Sequence, residues 1–253
     1  MKTVPLRRLV ADCDQLLRPD RIMDYDGAAN GLQVENRGRV SRLAAAVDAS
    51  HDTVAMAIAR RADFLVVHHG LFWSPSHPWT GRRYELLRLL LENNLAVYSA
   101  HLPLDIHPRV GNNALLCRKL GLTRPSPFLL AKGQHLGLRS KARLSRDALA
   151  RRLAQATGAW PRVLPCGPAT CRHVGVVTGG AGAELRLAAS EGVDTFVTGE
   201  GPHWTFSLAQ ELGVNVLFGG HYATETFGVK ALAAWLADRH GLPWEFLDHP
   251  SGL

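Results

Sequence analysis

The sequence predicts an α/β protein made of two pseudo-repeated lobes with mixed, largely parallel sheets. Short apolar runs alternate with stretches of helical periodicity, which is typical of βαβ units. A pattern of strand, polar turn, helix and strand occurs in each half of the chain. The 253 residues are 46% hydrophobic and 20% charged, a composition that excludes a collagen, a coiled coil and a disordered chain.

The first lobe begins with a predicted helix. Apolar side chains recur at helical spacing over residues 4–17, and Pro19 follows them as a stop signal. Residues 27–34 form a predicted loop that leads into the first strand. Beyond it, predicted strands alternate with predicted helices, the strands at 43–47, 64–67 and 96–98 and the helices at 53–61 and 84–91.

The second lobe begins beyond the Pro125-Ser126-Pro127 segment, where two prolines indicate a boundary. The expected domains are therefore residues 1–125 and 126–253. Strands are predicted at 135–139, 173–177, 195–197 and 214–218, and helices at 146–157, 183–191, 205–212 and 225–239.

A weak internal repeat relates the two halves. Residues 63–70 align with residues 194–201, and residues 94–101 align with residues 214–221. Each copy continues with a carboxylate four residues after its last histidine, Asp105 after His101 and Glu225 after His221. Repetition of this kind predicts two structurally equivalent lobes.

Histidines and carboxylates follow the predicted strands of both copies. In open α/β sheets, ligands bind beyond the carboxyl ends of the strands. We therefore expect the two lobes to face a central metal cleft lined by these side chains: His68, His69, His101, Asp105, Glu200, His203, His221 and Glu225.

The adjacent pair His68 and His69 favours two metal ions over one. Successive side chains of a strand point to opposite faces, so two neighbouring histidines at a strand end would reach two neighbouring ions. Glu225 has two oxygens and would bridge ions about 3.5 to 4 Å apart. With His68, His69, Asp105 and His221 shared between them, each ion keeps an open position, as catalytic metals do. Mixed imidazole and carboxylate donors admit zinc, manganese, iron, nickel or cobalt.

Three polar features of the sequence allow more than one interpretation. His101 fits a metal ligand, a proton carrier or a partner of a ligand. Glu200 and His203 fit the same site, or the polar start of a helix beginning at Pro202. The glycine-rich stretch 174–184 fits a phosphate cradle or simply a tight connection between strand and helix.

Charge and cysteine content narrow the possible functions. The formal net charge of +7 suits anionic partners, either phosphorylated small molecules or nucleic acid, although the arginines form no single basic run. The four cysteines include no C-x-x-C pair, which argues against a zinc ribbon. No window approaches the ~18 apolar residues of a membrane span, and we expect a cytoplasmic protein without membrane contact.

Six short motifs resemble those of the Ngg-one-interacting factor three family, often labelled GTP cyclohydrolase I type 2 homologues. They are Gly31-Leu-Gln-Val-Glu35, Val67-His-His-Gly-Leu-Phe-Trp73, His101-Leu-Pro-Leu-Asp105, Gly111-Asn-Asn-Ala114, Thr198-Gly-Glu200 and Gly220-His-Tyr-Ala-Thr-Glu225. Their order and spacing cover nearly the whole chain, which looks like the short bacterial form.

The resemblance implies a two-lobe α/β fold, a dinuclear divalent-metal site and a ring-shaped homohexamer built as a trimer of dimers. Carried over by motif, the metal ligands are His68, His69, Asp105, His221 and Glu225. Many relatives have threonine after the first histidine of the H-x-x-x-D motif, whereas this chain has Leu102 and Pro103. A substrate contact through that hydroxyl is therefore not expected here.

The leading functional hypothesis is a metal-dependent hydrolase of the cyclohydrolase or amidohydrolase type. Two ions would activate water toward a small nucleotide-like or amide substrate, with His101 or His203 as proton donor. A second hypothesis is a ring-shaped nucleic-acid or protein-binding scaffold with structural metals, which the positive charge supports. A third is metal storage or delivery, with readily exchanged ions.

Overall fold

The computed structural model describes residues 2–73 and 77–252 and divides into two compact units. The first unit comprises Met1–Leu104 and Gly228–His249, and the second comprises Asp105–Phe227 and Pro250–Leu253. Both units combine helices with a mixed β-sheet, as the sequence predicts for an α/β protein.

The elements are numbered along the chain. The strands are β1 (Val4–Pro5), β2 (Gly31–Val34), β3 (Arg39–Val40), β4 (Leu43–Asp48), β5 (Phe64–His69), β6 (Ala96–Ser99), β7 (Ser126–Ala131), β8 (Gln134–Ser145), β9 (Arg162–Leu164), β10 (Thr170–Val176), β11 (Thr195–Thr198), β12 (Asn215–Phe218) and β13 (Trp244–Phe246). The helices are α1 (Leu6–Leu17), α2 (His51–Ala59), α3 (Arg82–Glu92), α4 (Leu102–Asp105), α5 (Asn112–Lys119), α6 (Arg146–Thr157), α7 (Leu185–Ser190), α8 (Thr205–Leu212) and α9 (His221–His240). Short 3₁₀ helices span Pro19–Arg21 and Ala181–Glu184.

The first unit contains a five-stranded sheet in the order β13-β4-β5-β6-β2. Strands β13, β4, β5 and β6 are parallel, and β2 pairs antiparallel with β6. Helices cover central parallel strands on both faces, so such strands are apolar along their length. Accordingly, β5 is buried from Phe64 through His68, and its polar residues stand only at its carboxyl end.

The second unit contains a six-stranded sheet in the order β7-β8-β10-β11-β12-β9. Its central strands β10, β11 and β12 are parallel, whereas β8 and β9 flank them in antiparallel orientation. Pro127 lies on β7 at the sheet edge, where the missing backbone N–H disrupts no inner ladder. The core of this unit includes Leu116, Leu149 and Val197.

The predicted internal repeat is present in the topology of both units. Each has a helix, an antiparallel flanking strand and three parallel strands connected by helices, from α1 to β6 and from α6 to β12. The aspartates that open the two central strands make equivalent bonds. Asp63 accepts hydrogen bonds from the backbone of Ser41 and Arg42, and Asp194 from that of Arg172 and His173.

The strand register corrects the alignment of the second repeated segment by one residue. Phe64 pairs with Ala96 in the first sheet, and the equivalent Thr195 pairs with Asn215 in the second. The second copy therefore has one additional residue between its third strand and the histidine that follows. Sequence alignment missed this shift because it matched the histidines instead of the backbone ladder.

Local sequence signals place most helices correctly. Helix α6 has the predicted bounds, since the Ser145 hydroxyl accepts from the Ala148 N–H at its start and Gly158 ends it with φ of 84°. Helix α8 also matches. The long helix α9 begins at His221 and not at Glu225 as predicted, and the predicted loop over residues 27–34 contains strand β2. The other elements that were not foreseen are strands β1, β3, β7, β9 and β13 and helices α4 and α5.

The boundary expected at residue 125 differs from the observed division after Leu104 and within α9. Helix α5 contributes Leu116 and Cys117 to the core of the second unit, although it precedes residue 125. Strand β13 returns to the first unit and pairs with β4. A linear pattern does not show such long-range pairing, so two continuous halves were the simplest expectation.

Among the described helices, none combines the length and apolarity that crossing a membrane requires.

Asp12 on α1 joins the two chain segments of the first unit. This carboxylate is 4% exposed and accepts hydrogen bonds from Arg239 and His240 at the end of α9, and it forms an ion pair with Arg8. Burial alone would raise the pKa of Asp12, but the hydrogen bonds from Arg239 and His240 and the charges of Arg239 and Arg8 together outweigh burial and lower the pKa.

We expect Asp12→Asn to reduce the free energy of unfolding by about 1–3 kcal/mol, since it leaves two cationic groups and His240 without a carboxylate. The exposure of Arg8 and Arg239 keeps the loss moderate. Because the folded-state pKa is lowered, the stabilisation is present above about pH 4 and is lost at more acidic pH. Urea unfolding at pH 7 and pH 3 measures both effects, with exposed Asp20→Asn as control. Equal midpoints for both variants at pH 7 would contradict this role.

Candidate metal centre

Three histidines of the first unit form the first donor set. His68 and His69 are the last residues of β5, and His101 follows the adjacent strand β6. One possible ligand atom from each lies within 4.8 Å of the other two. The ring centroid of His68 is 4.8 Å from that of His69 and 4.9 Å from that of His101. The predicted clustering of histidines at strand ends therefore holds within this unit.

Each imidazole of the first donor set is oriented by a hydrogen bond from Nδ1. His68 donates to the carbonyl oxygen of Ala100, His69 to Asp48 Oδ1 and His101 to Asp24 Oδ1, each over 2.8 Å. These oxygens accept hydrogen bonds and have no proton to donate, and they therefore select the Nδ1–H tautomer. Nε2 is then the nitrogen that would bind a metal, the arrangement found in histidine ligands of metalloproteins.

The adjacent histidines His68 and His69 do not diverge as the strand pattern suggested. Both belong to β5, yet their rings are neighbours. An imidazole extends several ångströms from the backbone, so rings at a strand end can converge beyond the last residues of the sheet. A donor separation within 4.8 Å suits one ion or two neighbouring ions. The number of ions stays a prediction.

Asp24 holds His101 from a loop that precedes β2. Its carboxylate also accepts hydrogen bonds from the Asn30 side chain and from the backbone N–H of Leu102. Burial by itself would raise the pKa of Asp24, but the hydrogen bonds from His101, Asn30 and the Tyr25 backbone, together with the charge of His101, outweigh burial and lower the pKa. Asp24 is therefore a fixed anion behind the His101 ring. Trp73 contacts the other side of the site, with its ring edge-on to His101 at 5.0 Å.

Asp105, His221 and Glu225 form the second donor set, in the second unit. Glu225 Oε2 lies 3.2 Å from His221 Nε2, and carboxylate oxygens of Asp105 and Glu225 are within 4.8 Å of each other. His221 donates from Nδ1 to Glu200 Oε1 over 2.8 Å. Glu200 was predicted as a possible ligand, and in the structure its carboxylate orients the His221 ring.

The surroundings of His221 favour its protonated form. Burial lowers the pKa of this imidazole, but the hydrogen bonds and negative charges of Glu225 and Glu200 outweigh burial and raise the pKa to about 9. Two carboxylates around one imidazole create a region of negative potential. Such a region favours a cation, whether a proton or a metal ion.

Gly179 provides the space that Glu225 occupies. Its backbone has φ of +70°, and a Cβ at this position would collide with Glu225 Oε1. The Gly179 N–H donates to the Thr224 hydroxyl on α9 over 3.1 Å. The glycine turn in residues 174–184 therefore lets the backbone approach a buried carboxylate closely. This agrees with the interpretation of the stretch as a tight connection between strand and helix.

Asp105 is held by buried amide and hydroxyl groups. Its Oδ1 accepts from the Asn112 side chain over 2.8 Å and from the Thr178 hydroxyl over 3.3 Å. Asn113 accepts from the backbone N–H of Thr178 and donates to the carbonyl of Leu136. The Gly-Asn-Asn motif at the start of α5 thus fixes one oxygen of Asp105 within the second donor set.

The structure adds positioning residues that sequence reasoning missed. Asp48 ends β4 and pairs in register with His69, so its position at the carboxyl end of a neighbouring parallel strand was a usable signal. Asn112 was noticed only as part of a motif. Asp24 lies in an irregular loop and carried no signal. His203, in contrast, is exposed and belongs to none of the donor groups found among residues 2–73 and 77–252.

Comparison with known proteins assigns the chain to a family. The model of the Duf34/NIF3 (NGG1p interacting factor 3) family matches residues 4–250, nearly the whole sequence. The chain therefore belongs to the Duf34/NIF3 family, which confirms the resemblance seen in its motifs.

Relatives are similar over most of their length. Proteins named GTP cyclohydrolase 1 type 2 homolog are 47% identical in Halobacterium salinarum, covering 92% of this chain and 94% of the relative, and 43% identical in Deinococcus radiodurans, covering 90% and 88%. The crystal structure of TTHA1606 from Thermus thermophilus is 42% identical with a TM-score of 0.90 and covers 99% of this chain and all of the other. The α/β fold is thus shared with solved relatives.

We expect His221 in the metal-free protein to titrate at about pH 9, and Glu200→Gln to lower that pKa because one of the two carboxylates is neutralised. Since folding raises this pKa from 6.5, the stabilisation by protonated His221 is present below about pH 6.5 and is lost as the pH rises through about 9. Histidine NMR titration after chelation measures the pKa.

The matched control for this titration is Glu211→Gln, which removes an exposed carboxylate of the same unit that pairs with Arg186. It should leave the His221 titration unchanged. A wild-type His221 that titrates at or below 6.5 would contradict the assigned environment.

Proposed function

We propose that the protein is a hydrolase that depends on two divalent metal ions and acts on a small planar, nucleotide-like or amide substrate. The main support is the hydrogen bonding of the imidazoles. All four histidines of the two donor sets have Nδ1 bonded to a carbonyl or carboxylate oxygen, which directs Nε2 toward a ligand.

In this proposal the ions are held by His68, His69, Asp105, His221 and Glu225, as the family resemblance implies. Imidazole and carboxylate donors suit zinc, manganese, iron, nickel and cobalt. When bound, such ions supply Lewis acidity and an activated water at neutral pH. The donors themselves contribute fixed negative charge through Asp105 and Glu225.

The donor chemistry favours catalysis over a structural role for the metal. Structural zinc sites are usually closed and rich in cysteine. Among the described residues, the donor groups contain histidine and carboxylates without cysteine, and Cys13, Cys117 and Cys171 are buried elsewhere. Burial raises the pKa of the Cys117 thiol to about 12, so it stays protonated at neutral pH.

His101 is the proposed proton carrier of the reaction. Asp24 holds its Nδ1–H, so a proton is gained or lost at Nε2, on the side of the ring that faces the other two histidines. His203 has no part in the proposed reaction, because it is exposed and lies outside the donor groups of the described residues.

A cavity beside the first donor set supports a planar substrate. It has a volume of about 260 Å³, and its lining includes Phe72, Trp73, Trp79 and the exposed Arg83. Trp73 contacts both this cavity and the His69 ring, 5.9 Å away. Aromatic walls stack against a heterocycle, and an arginine pairs with an anionic substituent. The relatives' name, GTP cyclohydrolase 1 type 2 homolog, agrees with a purine-like substrate.

We expect two equivalents of divalent metal per chain in protein purified without chelators. His69→Ala should weaken metal affinity by at least about tenfold, because it removes one donor and leaves Asp48 with nothing to orient. Elemental analysis and competition with a chromogenic chelator measure both values. Exposed His77→Ala is the control and should retain both ions. Stoichiometric metal in His69→Ala with unchanged affinity would refute the ligand assignment.

We expect metal-loaded protein to hydrolyse at least one member of a panel of nucleotides, cyclic amides and phosphoesters. His68→Ala should reduce kcat/KM by at least about a hundredfold. Arg83→Gln should raise KM for the anionic member with a smaller effect on kcat. Liquid chromatography with mass detection follows the products.

No turnover across the panel, combined with ions that exchange within minutes, would favour metal storage over hydrolysis. Residual activity that is equal in wild-type protein and His68→Ala would identify a contaminant and reject the proposed hydrolase.

A further inference from the structure

The second unit contains a basic cleft that the proposed reaction does not use. The cleft has a volume of about 620 Å³, large enough for a small organic ligand. Its lining comes from strands β7, β8 and β10, the loop before β7 and the residues after α7, and consists of Thr123, Arg124, Ser126, Arg139, Ser140, Lys141, His173, Glu191 and Gly192.

Positive charge in the basic cleft exceeds negative charge. Arg124, Arg139 and Lys141 face a single acid, Glu191. The Glu191 carboxylate accepts hydrogen bonds from the backbone N–H groups of Leu129 and Leu130, over 3.0 and 2.8 Å. The carboxylate is therefore fixed against the backbone of β7, and Arg139 donates to the Glu191 carbonyl oxygen. Three cationic side chains against one acid leave an excess of positive charge in the cleft.

Strand register brings the cationic side chains to one face. Arg139 and Lys141 stand two residues apart on β8, so they share a face and lie about 7 Å apart. Ser126 on β7 pairs opposite Arg139, and His173 on β10 pairs opposite Lys141. The buried Ser140 between them points away and donates its hydroxyl to the carbonyl of Thr123 over 2.6 Å.

The loop that carries Arg124 is held in an uncommon conformation. The Ser140 bond ties Thr123 to β8, and Arg124 itself has φ of 50°. A non-glycine residue in this left-handed region costs free energy and persists where its surroundings hold it. Within residues 2–73 and 77–252, the side chains of Arg124 and Lys141 make no hydrogen bond or ion pair. Both cations are therefore presented to solvent inside the cleft.

The basic cleft lies at the opposite end of the sheet from the second donor set. Strands β10 and β11 begin to pair with each other at Val174 and Thr195, and His173 and Gly192 lie before this point. His221, in contrast, follows the end of β12. Four-residue strands separate these ends by about 13 Å. A ligand in the cleft would therefore be separate from metal ions held by Asp105, His221 and Glu225.

We propose that the basic cleft is a phosphate-binding site, with Arg124, Arg139 and Lys141 as its cationic ligands. Guanidinium groups bind phosphate oxygens through paired N–H donors, and lysine adds a point charge. Ser126 and His173 supply further donors at the rim. The phosphate belongs to a small phosphorylated metabolite or to the backbone of a single-stranded nucleic acid, and both present the same chemistry to the cleft.

The test uses metal-loaded protein with two probes, inorganic pyrophosphate and a ten-nucleotide single-stranded DNA. Calorimetry in ~50 mM salt compares wild type with Arg124→Gln/Lys141→Gln. The matched control is Lys119→Gln/Arg162→Gln, which removes the same charge from exposed positions of the same unit outside the cleft. We expect the Kd of the preferred probe to rise at least about tenfold in the cleft variant and less than about twofold in the control.

The two probes distinguish the sources of phosphate. Preference for pyrophosphate with a log-log salt slope near two indicates a small ligand, whereas preference for DNA with a steeper slope indicates nucleic acid. Equal affinity of wild type and cleft variant, as binding at the metal ions would produce, overturns the proposal. An equal loss in both double variants, or no binding of either probe, also overturns it.

The single variants Arg124→Gln and Lys141→Gln keep this test decisive if the double variant is unstable. Each should raise the Kd of the preferred probe at least about threefold while the urea midpoint stays at the wild-type value. Single variants that bind like wild type would reject the assignment of these two side chains.

Discussion

Hydrogen bonds at Nδ1 determine what the candidate metal centre can do. His68, His69 and His101 each donate to a fixed oxygen, which orients Nε2 as the candidate metal-binding atom of His68 and His69 and as the proposed proton-transfer atom of His101. An imidazole without such a partner would rotate and exchange tautomers, and the cost of ordering it would reduce metal affinity. Two of these oxygens belong to Ala100, which follows β6, and to Asp48, which ends β4. The orientation of the histidines therefore depends on the strand register of the first unit.

The parallel strands explain why polar chemistry appears only at their ends. Strands covered on both faces must be apolar. Accordingly, β5 and β11 are buried along nearly their whole length, and their functional residues lie at or beyond the carboxyl end of each strand. At the amino ends, Asp63 accepts hydrogen bonds from the backbone just before β4, and Asp194 accepts them from the backbone of β10. The candidate metal donors lie at or just beyond the carboxyl ends. In the second unit, the basic cleft adds a further polar site near the amino end, where the duplicated architecture has no metal ligands among the described residues.

Sequence patterns predicted the fold class and most elements, and the failures have identifiable causes. Helix α6 matched because its Ser145 cap and Gly158 terminus are local signals. Strand β13 was missed because a three-residue strand carries little periodicity and pairs with the distant β4. Asp105 was expected with the first lobe, but its partners Asn112 and Thr178 lie in the second unit. Contacts distant along the chain leave no mark on local periodicity.

The order of residues alone established the α/β class, the duplication, the family resemblance and the histidines and acids that follow the strands. These properties depend on periodicity and spacing, which the chain carries locally. Folding determined which side chains orient those residues, since Asp24, Glu200 and Asn112 act through distances that spacing does not encode. It also gathered Arg124, Arg139 and Lys141 into one cleft, because strand pairing and a tethered loop bring together cations that look scattered in the sequence.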